Sequence, residues 1–446
     1  MTEKSTSELQ KKLLIFSVFI STSSFLIHEI YSLDVWWQIA IGKDILKTLS
    51  IPTTDRYTVA ALGNLYHDSH WLFQVIIAAF HHLAGMLGAQ FFMVAIWAIT
   101  LYTCYRSIRQ HMTVEISALF VFLVGLSSIE RFLPRPEIIT FLMIALFYQR
   151  LSKHNYKDGK ALTIMALLQI IWTNCHGLFV IGPFMAGTYW LSDIIGHFSG
   201  KKTNLKKTSL LLAVLILASL ITPYGIGAWK YAYLLYTEVG GSASHLMKSV
   251  GELAPTFSNK SFSEPLFYPF LIILAGTILS SLKLLFQKKL SLPRAIITIS
   301  LFMAALTGRR NIVLFVIVAA PFIAENIKAL MPEVKLKSPL TTNLIGLLIL
   351  LVSIYPLSGL YYVKNDIPAR SGLGSSPSYY PYSLPDFLRK INFQGNIYNS
   401  NIMGGFYLLH SYPERRPLTD GRWEIYNDRI LKSILIAPTQ PYLMQG

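Results

Sequence analysis

Asp34 lies in an acid-and-tryptophan cluster, Ser32-Leu33-Asp34-Val35-Trp36-Trp37, and arginines and histidines recur at the ends of later apolar stretches. These are His67-Asp68-Ser69-His70-Trp71, Arg131 with Arg135, His176-Gly177, Arg309-Arg310 and Asp420-Gly421-Arg422. Guanidinium groups grip phosphate through parallel N–H donors, and a fixed carboxylate can take a proton from a hydroxyl. Arg131, Arg135, Arg309 and Arg310 are therefore candidate phosphate ligands, and Asp34 is the candidate catalytic residue. Plainer roles compete: Asp34 as the cap of a helix beginning near Val35, and the arginines as snorkelling side chains at a membrane edge. His176 either caps a broken helix or touches substrate. Asp55 and Asp68, in the same loop, read first as turn residues. His67, Asp68 and His70 have no evident fourth partner, so no metal site is assigned.

Residues of these kinds must be held by something, and composition says what. Of 446 residues, 53% are hydrophobic and only 14% charged, with a mean hydropathy of +0.46. Soluble domains carry about 25% charged residues. The chain is thus expected to be a polytopic membrane protein, where ionisable groups at membrane depth are costly enough to be functional candidates. The net charge of +16 does not signal nucleic acid, because the lysines sit between apolar runs, as cytoplasmic loops require. The first apolar run reads as an uncleaved helix. Two cysteines, Cys104 and Cys175, offer neither a disulfide framework nor metal spacing.

The apolar runs suggest eleven spans, at 13–30, 88–105, 114–130, 137–150, 161–175, 177–197, 208–222, 265–286, 293–307, 311–327 and 340–361. The stretch 71–86 is taken as an amphipathic helix on the outer surface, because counting it as a span would turn every later lysine-rich loop outward. With that choice, twenty of the 39 Lys and Arg residues fall in the inner segments and ten in the outer loops. The reading gives a transmembrane module over 1–362, whose first outer loop is 30–87, and a short α/β tail over 363–446 outside. In the tail, Leu384–Ile391 reads as helix, and Asn396–Asn399, Phe406–His410 and Pro417–Thr419 as strands. Four spans offer fewer than the roughly 20 residues that a bilayer crossing needs. They end at Arg131, His176, Pro223 and Arg309. Their ends are expected to floor an outward-facing cavity, since irregular backbone at that depth must line a wet space or be buried in protein.

In order along the chain, these motifs resemble a bacterial branch of the C-type glycosyltransferase superfamily (GT-C), which includes protein O-mannosyltransferases and lipid A aminoarabinose transferases. The likeness is carried by Asp34-x-Trp36-Trp37…Gly42…Ile51-Pro52-x-Thr54-Asp55, His70-Trp71-Leu72, Arg131-Phe132-Leu133-Pro134-Arg135-Pro136 and Trp172-x-Asn174-x-His176-Gly177. It continues through Pro223-Tyr224-Gly225, Arg309-Arg310-Asn311, Asn399…Gly404-Gly405-x-Tyr407 and Asp420-Gly421-Arg422…Tyr426. The resemblance implies an all-α polytopic fold and transfer of a sugar from a polyprenyl-phosphate donor to a hydroxyl of a lipid, glycan or protein acceptor. It implies inversion by single displacement, with Asp34 as general base and with Trp37, Asp55, His70 and His176 joining the arginines at the substrate. The expected location is a bacterial cytoplasmic (inner) membrane, multi-pass, with the site facing the periplasm or exterior. The expected partners are membrane lipids and these substrates, with no nucleic acid. No cofactor is assigned, and a divalent metal stays open. A lipid-linked saccharide flippase and a non-catalytic assembly partner are the alternatives, although no internal repeat of the kind common in transporters is seen.

Overall fold

A computed structural model describes residues 3–240, 255–332, 339–426 and 430. Helix accounts for nearly all regular structure, and the only β pairing among the described residues is in isolated bridges. The first nine helices are α1 (Glu3–Leu26), α2 (Asp34–Thr48), α3 (Trp71–Ile108), α4 (Val114–Ser127), α5 (Glu137–Ser152), α6 (Gly159–Cys175), α7 (Ile181–Phe198), α8 (Leu205–Ala218) and α9 (Gly227–Gly240). Long apolar helices follow at Tyr268–Phe286, Leu292–Thr307, Ile312–Leu330 and Pro339–Val352. Among the described residues, six helices are long and apolar enough to cross a membrane. The chain is a multi-pass membrane protein.

The Ile312–Leu330 helix is the hub. Its span is 78% buried, and α3, α4, α5 and the helices at 268–286 and 292–307 surround it. A helix that is apolar all round belongs in such a position. α1 packs along the 339–352 helix and α4. Cys104 and Cys175 are free and buried.

Several helices are short for a crossing. α4 and α8 have 14 residues each, α6 has 17 and Leu292–Thr307 has 16. At about 1.5 Å per residue, 14 residues reach only about 21 Å, against a hydrocarbon core of about 30 Å. Tight turns continue two of them, Ile129–Arg131 after α4 and Arg309–Asn311 after the 292–307 helix. α6 ends at His176, whose backbone is extended. The apolar sequence thus runs out where the arginines and histidine begin.

α3 is not one straight rod. The backbone leaves helical geometry at Ala84 and Gly85, separating 71–83, which lies along α2, from 86–108.

The tail differs from its expected α/β pattern. Leu384–Lys390 is helical as anticipated, but Phe406–His410 lies inside a helix, Asn401–Ser411. The pair expected as strands at 396–399 and 417–419 makes only one bridge, Ile397 to Pro417. The physical reason is the spacing of Met403, Phe406, Tyr407 and His410, which repeats at three and four residues and so lines one helical face. That face packs on Trp36, with ring centres 4.9 Å from Phe406 and 5.7 Å from His410.

Candidate active site

The site assembles where α2 begins. Asp34 is the first residue of α2, where the helix dipole favours a negative charge. Its Oδ1 accepts a hydrogen bond from Trp37 Nε1 at 3.2 Å. Its Oδ2 lies 3.1 Å from Arg135 Nε, and the Asp34 side chain remains 26% exposed. Arg135 Nε also reaches Ser32 Oγ at 3.3 Å. The candidate base and a candidate phosphate ligand are therefore in direct contact.

Trp36 and Trp37 are both buried. Trp36 packs edge-on against Tyr380 at 4.7 Å and against Phe406. Protein, rather than the membrane interface, holds this corner of α2.

The loop from Arg131 to Pro136 connects the short α4 to α5. Arg131 is buried, and its Nε donates to Glu137 Oε1 at 2.6 Å. His28, just past α1, places Nε2 2.8 Å from the Phe132 carbonyl and so ties the loop to the segment that follows α1. The loop then carries Arg135 to Asp34.

A second cluster forms at the end of α6. His176 Nδ1 is 2.8 Å from Thr140 Oγ1, which also accepts from Trp172 Nε1 at 2.8 Å. The His70 ring lies 5.6 Å from the His176 ring. Arg131 and Arg310 are near enough for their charges to be felt at His176. Trp71 Nε1 donates to Asn174 Oδ1 at 2.9 Å, fixing the start of α3 to the end of α6.

Like Arg131, which Glu137 holds, Arg309 and Asp55 are already engaged by opposite charges of the protein. Arg309 is clamped between Glu130 and Glu264, so its charge is already matched by protein carboxylates. Asp55 is buried and faces inward. It accepts from Thr58 Oγ1 at 2.6 Å, and its Oδ1 lies 2.9 Å from Arg422 Nη1. Arg422, also fully buried, forks onto Asp420, with Nη2 2.6 Å and Nε 2.9 Å from Oδ2. Sequence reasoning noted the Asp420-Gly421-Arg422 motif but gave it no task. Its signal was two charges flanking a glycine, which pairing across the fold makes interpretable.

Asp68 is another buried acid. Its Oδ1 accepts from the His70 backbone N–H at 3.1 Å and from Gln74 Nε2 at 2.9 Å, while Oδ2 has no partner. Burial pushes its carboxyl up to about 7. His67, next to it, is stacked between Tyr224 and Tyr231 at 3.8 and 4.2 Å. Neither joins a metal cluster: no group of three or more His, Cys, Asp or Glu that could hold a metal ion stands together among the described residues. Asp34 is itself engaged by Arg135 and Trp37. No step below passes through a metal.

The helical membrane body, with an acid at the start of α2, shares its fold with an archaeal oligosaccharyltransferase. The archaeal oligosaccharyltransferase AglB from Archaeoglobus fulgidus, solved in complex with an inhibitory peptide and a dolichol-phosphate, superposes with a TM-score of 0.62 at 13% identity, covering 93% of this chain and 64% of that one. The same archaeal enzyme tethered to an acceptor peptide containing the NVT sequon gives 0.63 at 14% identity, with coverages of 93% and 64%. Its complex with Zn and sulfate gives 0.61 at 13%, with coverages of 92% and 62%. The chain thus spans about two thirds of the length of these neighbours or slightly less. At this identity the likeness establishes the fold. No family model matches the sequence, and no curated protein matches it.

Proposed function

We propose that this chain is a membrane glycosyltransferase that moves a sugar from a polyprenyl-phosphate-linked donor to an acceptor hydroxyl on the extracytoplasmic side of a bacterial cytoplasmic membrane. The observation that carries the reading is the contact between Asp34 and Arg135. Asp34, proposed as the proton acceptor, lies beside Arg135, proposed as a phosphate ligand, in a membrane domain whose fold is shared with an oligosaccharyltransferase solved with a dolichol-phosphate.

In the proposed reaction the acceptor oxygen attacks the anomeric carbon from the face opposite the phosphate, so the configuration inverts. The new C–O bond forms as the bond to the phosphate oxygen breaks. The hydroxyl proton passes to Asp34, and polyprenyl phosphate departs with the electron pair. Arg135, with Arg131 and Arg310 near His176, would stabilise the charge developing on the phosphate in a partly dehydrated site. A phosphate leaving group needs no strong acid, so one carboxylate suffices. His70, His176 and Trp37 are proposed to line the substrate. The acceptor is a hydroxyl of a lipid, glycan or protein.

The test is genetic and chemical. Cells lacking the chain should accumulate one lipid-linked sugar, identifiable by mass spectrometry of the lipid extract. Wild-type protein should clear it, and Asp34→Asn, expressed at the same level, should clear it at least about 10²-fold more slowly. Normal clearance by Asp34→Asn would sink the assignment.

A further inference from the structure

The C-terminal tail does more than hang outside the membrane body, since part of it touches the candidate base. Between Asp420 and Arg422 stands Gly421, and a Cβ built there would lie 2.7 Å from Asp34 Oδ1 and 3.0 Å from Trp37 Nε1. Those two atoms are the partners of the hydrogen bond that orients the carboxylate. A Cβ there would force the carboxylate or the indole to shift. A second close approach lies one step away: a Cβ on Gly405 would be 3.1 Å from the Trp37 backbone nitrogen and 3.2 Å from the Leu33 carbonyl oxygen.

What holds the turn in place is the buried ion cluster. The Arg422 side chain is 0% exposed. It bonds Asp420 within the turn and sets Nη1 2.9 Å from Asp55 Oδ1 in the first outer loop. That second contact is a charge pairing without hydrogen-bond alignment. The guanidinium also sits over the rings of Tyr66 at 4.9 Å, Tyr57 at 5.2 Å and Trp37 at 6.0 Å. Asp420 is further tied by the Tyr426 hydroxyl, which donates to its Oδ1 at 3.1 Å. A buried cluster with its charges paired fixes one geometry, because any other arrangement strands a charge away from water.

We infer that the Asp420-Gly421-Arg422 turn is a positioning element for Asp34: Arg422 locks the tail to the first outer loop, and the Gly421 backbone forms the wall that leaves the carboxylate one orientation. Oδ1 is then committed to Trp37, and Oδ2 is presented toward Arg135 and the site opening. This inference rests on the proposed role of Asp34. Rates fall by about 10²-fold when a reacting group is misplaced by about 1 Å, so a tail remote in sequence would control turnover without touching substrate.

The experiment uses the purified full-length chain in nanodiscs, with the lipid-linked sugar pool extracted from cells lacking the protein as donor. Wild type, Gly421→Ala, Arg422→Lys and Asp34→Asn are compared for melting temperature, kcat, donor KM and pH profile. Gly421→Ala should keep the melting temperature and donor KM and lower kcat by about 10²-fold. It should also move the acid limb of the profile to higher pH. The added Cβ displaces Oδ1 from the Trp37 N–H, and loss of a hydrogen bond to the charged form raises a carboxyl pKa. A merely destabilised protein would lose active fraction and keep its acid limb. Arg422→Lys retains the charge but not the fork, and should likewise lower kcat more than it changes KM. It carries the test if Gly421→Ala does not fold. Wild-type kcat and an unshifted limb in the folded variants, with Asp34→Asn inactive, would overturn the positioning role and leave the catalytic reading intact. An active Asp34→Asn would instead overturn the reading on which it rests.

Discussion

Arg135 Nε lies 3.1 Å from Asp34 Oδ2, joining a loop between α4 and α5 to the first residue of α2. The pair brings together two residues about a hundred positions apart, and it explains how a partly exposed carboxylate keeps one place in a membrane domain. It also means that a phosphate arriving at Arg135 meets a guanidinium already aimed at the base.

Replacing Arg135 should therefore weaken donor phosphate binding. Arg135→Ala removes a charge-assisted contact of about 1.5–3 kcal/mol, so inhibition by farnesyl phosphate should weaken by about tenfold or more. Arg135→Lys should recover part of it, since an ammonium supplies charge without the planar fork. Unchanged inhibition in Arg135→Ala would remove this residue from the phosphate site.

Arg309 and Arg310 should behave differently despite being neighbours. Arg309 bridges Glu130 and Glu264, and Arg309→Ala leaves two carboxylates facing each other. Its main effect should be a lower melting temperature, with farnesyl phosphate inhibition near wild type in the folded fraction. Arg310, which acts on His176, should show the opposite pattern on replacement by Ala. Equal effects of the two substitutions on inhibition would contradict this division.

Asp68 gives the protein a pH-dependent stability. Burial raises its carboxyl from the ordinary 3.8 to about 7, so the folded state holds the proton more tightly than the unfolded chain does. Its contribution is full below about 3.8 and is lost as the pH rises through about 7. Asp68→Asn keeps an acceptor for the His70 N–H and Gln74 and needs no proton. Melting curves from pH 5 to 8 should fall less steeply for this variant than for wild type; parallel curves would rule the effect out.

The proposed orientation is checked by cysteine labelling. Single cysteines at Lys157 and Lys202, in loops rich in lysine, should resist impermeant thiol reagents in intact cells and react after permeabilisation. One placed at Leu65, exposed in the first outer loop, should react at once. Labelling at 157 or 202 in intact cells would turn the topology over, and the side of the proposed reaction with it.

The sequence alone determined the membrane class, the runs that became long helices and the positions where short helices end in arginine or histidine. Those features are local: apolar length and the cost of burying charge are written residue by residue. It also brought Asp34, Arg131, Arg135, His70 and His176 forward as candidates, because acids and cations beside apolar runs are conspicuous wherever they pair. Partners were not legible. Nothing in the order of residues says that Arg135 meets Asp34, that Arg309 is clamped by Glu130 and Glu264, or that Asp55 turns inward to Arg422. Each pairing spans distant segments, and an ion pair is chosen by which charges the fold brings within reach. The tail shows the same limit. The segment 406–410, Phe-Tyr-Leu-Leu-His, is apolar and aromatic enough to suggest a strand, but the Met403–Phe406–Tyr407–His410 face packs as a helix on Trp36, since burial of a whole aromatic face outweighs a weak local preference. Only tertiary structure could decide that Gly421 rests against the carboxylate of Asp34, because a glycine's meaning lies in what comes close to it.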